Sequence, residues 1–116
     1  MVARGIGGAD FTVKMTSSLI LAYAEKAVKS GGIYWFRPED AVALLADAQS
    51  AGAPLLGFDA ATVRPGDYVQ PSWEDSWDYS GSYPAVPDPY AHAIKFIRDR
   101  ATKGLLFEIV LGLNSY

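Results

Sequence analysis

The chain has 116 residues, half of them hydrophobic, and it carries a net charge of −3 at pH 7. This size and composition predict one domain, residues 1–116, with a hydrophobic core. The absence of cysteine excludes disulfides, a thiolate nucleophile and Cys-based metal sites. An isoelectric point of about 4.9 disfavours nucleic acid and anionic membranes as partners.

Two features of the sequence bear on where the protein acts. Its N-terminus lacks the apolar run of a signal peptide, and the longest apolar stretches, 19–24 and 105–113, are too short to cross a bilayer. We therefore expect a cytoplasmic protein with no membrane partner. Residues 1–10 are rich in glycine and predict a flexible N-terminal tail, and residues 11–15 predict a short strand.

Helical spacing of hydrophobic residues predicts the first α-helix, over residues 17–30. The residues at this spacing are Ile20, Tyr23, Ala24, Ala27 and Val28. Gly31 and Gly32 are expected to end the helix. Residues 33–36 are aromatic and β-branched, and they predict a short strand.

A second helix is predicted to begin at Pro38, a residue suited to the first helical position, and to end at Gly52. Its expected buried stripe consists of Ala41, Leu44, Leu45 and Ala48. A buried strand over 54–63 follows. The Pro-Gly chemistry of residues 64–67 predicts a turn, and residues 68–70 can then pair back as a hairpin.

A third helix is predicted from the Asp88 cap to Gly104, and residues 105–111 form a final apolar strand expected at the centre of a sheet. The order of elements predicts an α+β fold. We expect a single domain with a mixed β-sheet of about four to five strands and three α-helices packed on it. The expected core includes Leu55, Leu56, Ile97, Leu106 and Ile109.

The most distinctive segment is acidic and aromatic. Residues 52–94 contain six acids against one base, and the densest part is 72–79. Aromatic rings anchor protein interfaces, and clustered carboxylates select a basic partner. The predicted partner-binding residues are Asp59, Trp73, Glu74, Asp75, Trp77, Asp78, Tyr79 and Tyr83.

Two local geometries of this segment remain open. As a strand, it places Trp73, Asp75, Trp77 and Tyr79 on one face; as a helical turn, it stacks Trp73 on Trp77. A structural alternative is that both indole rings fill the core while the acids keep the segment solvated.

Catalysis has little support in the sequence. His92, the sole histidine, is predicted on the flank of the third helix near Asp88 and Phe96, and we interpret it as a surface or rim residue. Asp59, Glu74, Asp75 and Asp78 could supply an acid/base pair, but such a pair needs a defined separation and usually a deep cleft. We predict a protein that is not an enzyme, with no cofactor and no metal.

The layout over residues 37–100 resembles small immunity proteins of bacterial polymorphic toxin systems. The resemblance is carried by a helix over 38–49, the turn at 64–67, the aromatic and acidic segment 73–79, an amphipathic helix over 90–100, and the strand Leu55-Leu56-Gly57-Phe58-Asp59. It implies binding and blocking of a co-encoded toxin without catalysis. The insert at 81–88 and the Gly-rich N-terminus have no counterpart in this pattern.

The sequence therefore leaves two functions open. The first is a non-catalytic binding protein that neutralises a cognate toxin, whose basic active or substrate site is occluded by the acidic and aromatic surface. The second is a small carbohydrate- or ligand-binding module in which Trp73, Trp77 and Tyr79 stack on sugar rings.

Overall fold

The computed structural model describes residues 18–66, 68–81 and 85–112. A helical turn at 18–21 and a 3-10 helix at Ala24–Lys26 precede the regular elements. These are β1 (Val28–Ser30), β2 (Ile33–Trp35), α1 (Pro38–Ser50), β3 (Leu55–Arg64), β4 (Tyr68–Asp78), α2 (Pro89–Asp99) and β5 (Leu106–Leu111). The predicted tail at 1–10 and the predicted strand at 11–15 lie outside the described residues.

The α+β class and the five strands are confirmed, but the strands do not form one mixed sheet. Among the described residues, β1 and β2 form a two-stranded sheet, and β4, β3 and β5 form a three-stranded sheet in that order. Every pairing is antiparallel. A single antiparallel bridge between Phe36 and Phe107 links the two sheets, so β5 lies between β3 and the segment that follows β2.

The predicted first helix is the largest error in the secondary structure. Only residues 18–21 and the 3-10 helix at 24–26 are helical, and β1 occupies the place of the predicted last turn. Gly31 and Gly32 adopt positive φ values of 59° and 82°, which suit a two-residue hairpin turn. The glycine pair therefore connects two strands, and Val28 pairs with Trp35 across them.

The two long helices are confirmed, although α2 ends at Asp99 and not at the predicted Gly104. They pack together against one face of the three-stranded sheet. The four predicted residues of the α1 stripe are completely buried. The side chain of Asp88 accepts a hydrogen bond from the Ala91 N–H at 3.1 Å and caps α2. Ala93 and Ile97 then face the core. This packing leaves the opposite face of the sheet free of both helices.

Three of the five predicted core residues are buried: Leu55, Ile97 and Ile109. Leu56 is exposed, and Leu106 is only partly buried. Both errors have the same cause, because side chains alternate between the two faces of a strand. In β5 the buried positions are Phe107, Ile109 and Leu111. The apolar run therefore predicts a strand, but it does not show which alternate residues face the core.

Candidate recognition surface

The acidic and aromatic segment is a strand with a wide bulge. In the β3–β4 pairing, Phe58 lies opposite Trp77 and Ala60 lies opposite Ser72. The four residues 73–76 therefore face the single residue Asp59. This Trp73 bulge, residues 73–76, excludes the predicted helical turn, and it also breaks the strict alternation expected of a regular strand.

Serine hydroxyls replace the missing ladder hydrogen bonds across the bulge. The Ser76 hydroxyl accepts from the Ala60 N–H at 2.8 Å and donates to the Ser72 carbonyl oxygen at 2.8 Å. The Ser72 hydroxyl donates to the Asp75 carboxylate at 2.7 Å. The bulge thus has a defined conformation, although its residues are not paired with β3.

Asp75 faces inward, toward the end of α2, and only 4% of its surface is exposed. Its Oδ1 accepts hydrogen bonds from Arg100 Nε at 2.9 Å and Lys103 Nζ at 3.1 Å. Burial pushes the pKa of Asp75 upward, but hydrogen bonds from Ser72, Lys103 and Arg100 outweigh this effect, and the pKa is lowered. Two bases outside the acidic segment therefore compensate one of its central charges.

Trp73 lies on the outside of the bulge with 75% of its surface exposed, and the neighbouring Glu74 is also exposed. The alternative in which both indole rings fill the core is therefore wrong. Trp73, Asp75 and Trp77 do not share one face, because the bulge sends Trp73 outward and Asp75 inward. An ordered segment holds the Trp73 ring in solvent.

Trp77 and Tyr79 belong to a separate aromatic cluster against α2. The Trp77 ring lies 4.6 Å from the His92 ring and 6.0 Å from the Phe96 ring. The Tyr79 hydroxyl and His92 Nδ1 are 2.7 Å apart. Burial raises the pKa of Tyr79, so its hydroxyl stays protonated and can donate to His92. His92 is half-buried in this cluster, which the helix periodicity alone did not indicate.

The indole N–H of Trp77 is buried and has no hydrogen-bond partner within the described part of the chain. Its ring nonetheless packs against the hydrophobic core. Trp77 and Tyr79 therefore contribute to packing, while Trp73 does not.

The outer face of the three-stranded sheet carries the remaining acids. Asp59 lies opposite Glu108 on β5. Asp59 and Asp78 also line one surface cleft of about 310 Å³, together with Leu56 and Val110. Asp78 Oδ1 accepts from the Ser80 hydroxyl and from the backbone N–H groups of Ser80 and Gly81, so this carboxylate orders the turn after β4.

Glu108 was not among the predicted site residues, although it is the one charged residue in the apolar run of β5. Burial, the nearby charge of Asp59 and a hydrogen bond with Asp59 raise the pKa of Glu108 to about 7. Asp59, Asp78 and Glu108 form no ion pair with any lysine or arginine that the structure describes. The single acid that interrupts the apolar sequence of β5 is the feature from which this position could have been predicted.

The raised pKa of Glu108 predicts a stability that falls with pH. Below its ordinary pKa of 4.5, Glu108 is protonated in both the folded and the unfolded chain. Between 4.5 and about 7 the unfolded chain releases this proton while the folded chain retains it, so the free energy of unfolding decreases as pH rises. We expect Glu108→Gln to be more stable than the wild type at pH 8 by about 1–3 kcal/mol, and equal to it at pH 4.

Urea denaturation at several pH values measures this difference. Glu74→Gln is the matched control because Glu74 is exposed on the bulge, and its stability at pH 8 should be within about 0.5 kcal/mol of the wild type. An effect of Glu108→Gln on stability that is the same at pH 4 and pH 8 would contradict the interaction between the Glu108 and Asp59 carboxyl groups.

No protein-family model and no curated protein matches this chain.

Tyr83, the last predicted partner-binding residue, lies outside the described residues. Among the described residues, no group of three or more histidine or acidic side chains is arranged to hold a metal ion, and no helix is long and apolar enough to span a membrane.

Proposed function

We propose that the protein is a non-catalytic binding protein that neutralises a co-encoded bacterial toxin by occluding its active or substrate site. The observation that carries the proposal is the exposure of 75% of the Trp73 surface on an ordered bulge. Tryptophan is the residue type most typical of interface anchors, since its large ring buries much apolar area on binding. A Trp73 ring held in water by hydrogen-bonded neighbours is suited to that role.

The charges around the anchor support a basic partner. Glu74 is adjacent to Trp73, and Asp59 and Asp78 lie on the outer sheet face without a basic partner among the described residues. Uncompensated surface carboxylates attract a positively charged surface and speed its encounter. The substrate site of a toxin that acts on a polyanion would present such a surface. Asp75 does not contribute to this field, because Arg100 and Lys103 compensate it.

The arrangement of the aromatic rings favours a protein partner over a carbohydrate. A sugar platform built from Trp73, Trp77 and Tyr79 would need these rings side by side on the surface. Trp77 and Tyr79 instead pack together at 6.2 Å between ring centroids and against residues of α2. Trp73 remains as one isolated, exposed ring, which fits a pocket of a partner protein. The proposal implies action in the cytoplasm, where the chain would meet its toxin.

Trp73→Ala tests the proposal. We expect the variant to bind the partner about 30-fold more weakly or worse, equivalent to about 2 kcal/mol. Its stability should change by less than about 0.5 kcal/mol, because the ring makes few internal contacts. The measurement is a pull-down from the native host with mass spectrometry, followed by calorimetry with the recovered protein.

Tyr68→Ala is the matched control, since Tyr68 is an aromatic residue of the same strand, 63% exposed and outside the bulge. It should retain binding. Recovery of the same protein by Trp73→Ala at unchanged affinity would reject the bulge as the anchor. A recovered partner with an acidic binding surface would reject the electrostatic part of the proposal.

A further inference from the structure

The Trp73 bulge is connected to the end of α2 by ion pairs of the buried Asp75 carboxylate with Arg100 and Lys103. We infer that Arg100, with Lys103, is a positioning residue that holds the bulge in the conformation in which Trp73 binds its partner. This inference rests on the proposed function and identifies what determines the shape of that site.

The sheet alone does not hold the bulge. Residues 73–76 are not paired with β3, and the Ser76 hydroxyl supplies the nearest substitute for a ladder hydrogen bond. β4 is also the edge strand of its sheet. Without another attachment, an unpaired segment of an edge strand would sample many conformations.

Asp75 is that attachment, because its buried carboxylate accepts hydrogen bonds on both oxygens. Its Oδ2 accepts from Ser72 within β4, and its Oδ1 accepts from Arg100 and Lys103 beyond α2. Charge-assisted hydrogen bonds of this kind are among the strongest in proteins, and leaving one buried carboxylate without its partners is strongly unfavourable. The position of Asp75 therefore restricts Trp73, two residues earlier in the chain.

Arg100 is itself held in place by two further contacts. Its Nη1 donates to the Phe96 carbonyl oxygen at 3.2 Å, and its guanidinium carbon lies 3.4 Å from the centroid of the Phe96 ring. Only a planar guanidinium can stack in this way and still donate to a carboxylate. Lys103, which is about half exposed, lacks these contacts. Arg100 is therefore the more important of the two bases.

Order in the free protein has a direct consequence for binding. A segment that must be immobilised when the partner arrives weakens the complex, and a segment that is already ordered avoids that loss. We expect Arg100→Gln to weaken partner binding about tenfold although Arg100 does not contact the partner, and Arg100→Lys to have an intermediate effect.

Nuclear magnetic resonance relaxation of the free protein provides a readout that does not need the partner. In the wild type, the backbone amides of residues 73–76 should have order parameters near 0.85, as in rigid segments. In Arg100→Gln they should fall toward about 0.6, while those of α1 remain unchanged. Calorimetry with the captured partner then measures the affinity of the same variants.

Arg98→Gln is the matched control, because it removes the same charge from the same helix at an exposed position without an ion pair in the described part of the chain. It should alter neither the order parameters nor, beyond about twofold, the affinity. Unchanged order at residues 73–76 in Arg100→Gln overturns the inference, and so does increased mobility without loss of affinity. If Trp73→Ala binds normally, the proposed function fails instead, and the relaxation data still show whether Arg100 orders the bulge.

Discussion

Replacing Phe107 with alanine is expected to lower the free energy of unfolding by about 3–5 kcal/mol. The Phe107 side chain is completely buried, and its ring packs edge-on against Phe58 with 6.0 Å between centroids. Its backbone exchanges two hydrogen bonds of 2.7 Å with Phe36, at the bridge between the two sheets. A cavity at this position would remove contacts from both sheets and from the core beneath α1.

Leu106→Ala is the matched control for this prediction, because it truncates the neighbouring residue of the same strand. Leu106 is only partly buried on the opposite face, so its truncation should cost less than about 1.5 kcal/mol. Urea denaturation of both variants measures the difference. Equal losses would show that the assignment of Phe107 to the buried face of β5, and of Leu106 to the opposite face, is wrong.

In this protein, sequence patterns predict the helices and strands better than they predict which face of a strand is buried. The helix α1 was predicted closely, because a 3.6-residue period, a proline at the first position and a terminal glycine all agree. The start of α2 was also predicted, but the helix ends at Asp99, before the predicted Gly104. β5 is nearly continuously apolar, so its sequence identifies a strand without showing which face is buried. The core predicted from the sequence therefore includes Leu106, whereas the fully buried residue is Phe107.

The Gly31–Gly32 pair shows a second limit. A glycine pair can end a helix or form a hairpin turn, and the helical spacing before it favoured the first choice. β1 and β2 pair locally, but β2 also contacts β5, and β5 is distant in sequence. Local preference was therefore overridden by tertiary contacts.

The candidate site was predicted in composition but not in arrangement. The sequence identified an exposed aromatic and acidic segment, and Trp73 and Glu74 are exposed as expected for a binding surface. It could not show that the chain folds Asp75 onto Arg100, because those residues are 25 positions apart. It also did not show that Asp59 and Glu108 meet across two strands. The charge count along the segment therefore overestimated its negative charge, because Asp75 is paired with bases. It also did not include Glu108, which lies beside Asp59 on the neighbouring strand.

Gly57→Ala is expected to destabilise the protein by about 2–4 kcal/mol, a large effect for one added methyl group. Gly57 lies within β3, opposite Asp78 on one side and Val110 on the other. A Cβ at this position would overlap the Trp77 carbonyl oxygen and lie 3.2 Å from the Asp78 Cα atom. Both are backbone atoms of β4, so no side-chain rotation can relieve the overlap, and the two strands must separate.

Gly81→Ala is the matched control, since within the described ranges a Cβ there would meet only the Asp78 carboxylate, at 3.4 Å. Thermal denaturation should show a clear loss for Gly57→Ala and a change within about 0.5 kcal/mol for Gly81→Ala. Because β4 carries the Trp73 bulge, separation of the strands at Gly57 should also displace Trp77 from the His92 ring and change the near-ultraviolet circular dichroism of the tryptophans. A Gly57→Ala protein with wild-type stability and an unchanged spectrum would show that β3 and β4 do not approach this closely, and the register that forms the bulge would then be wrong.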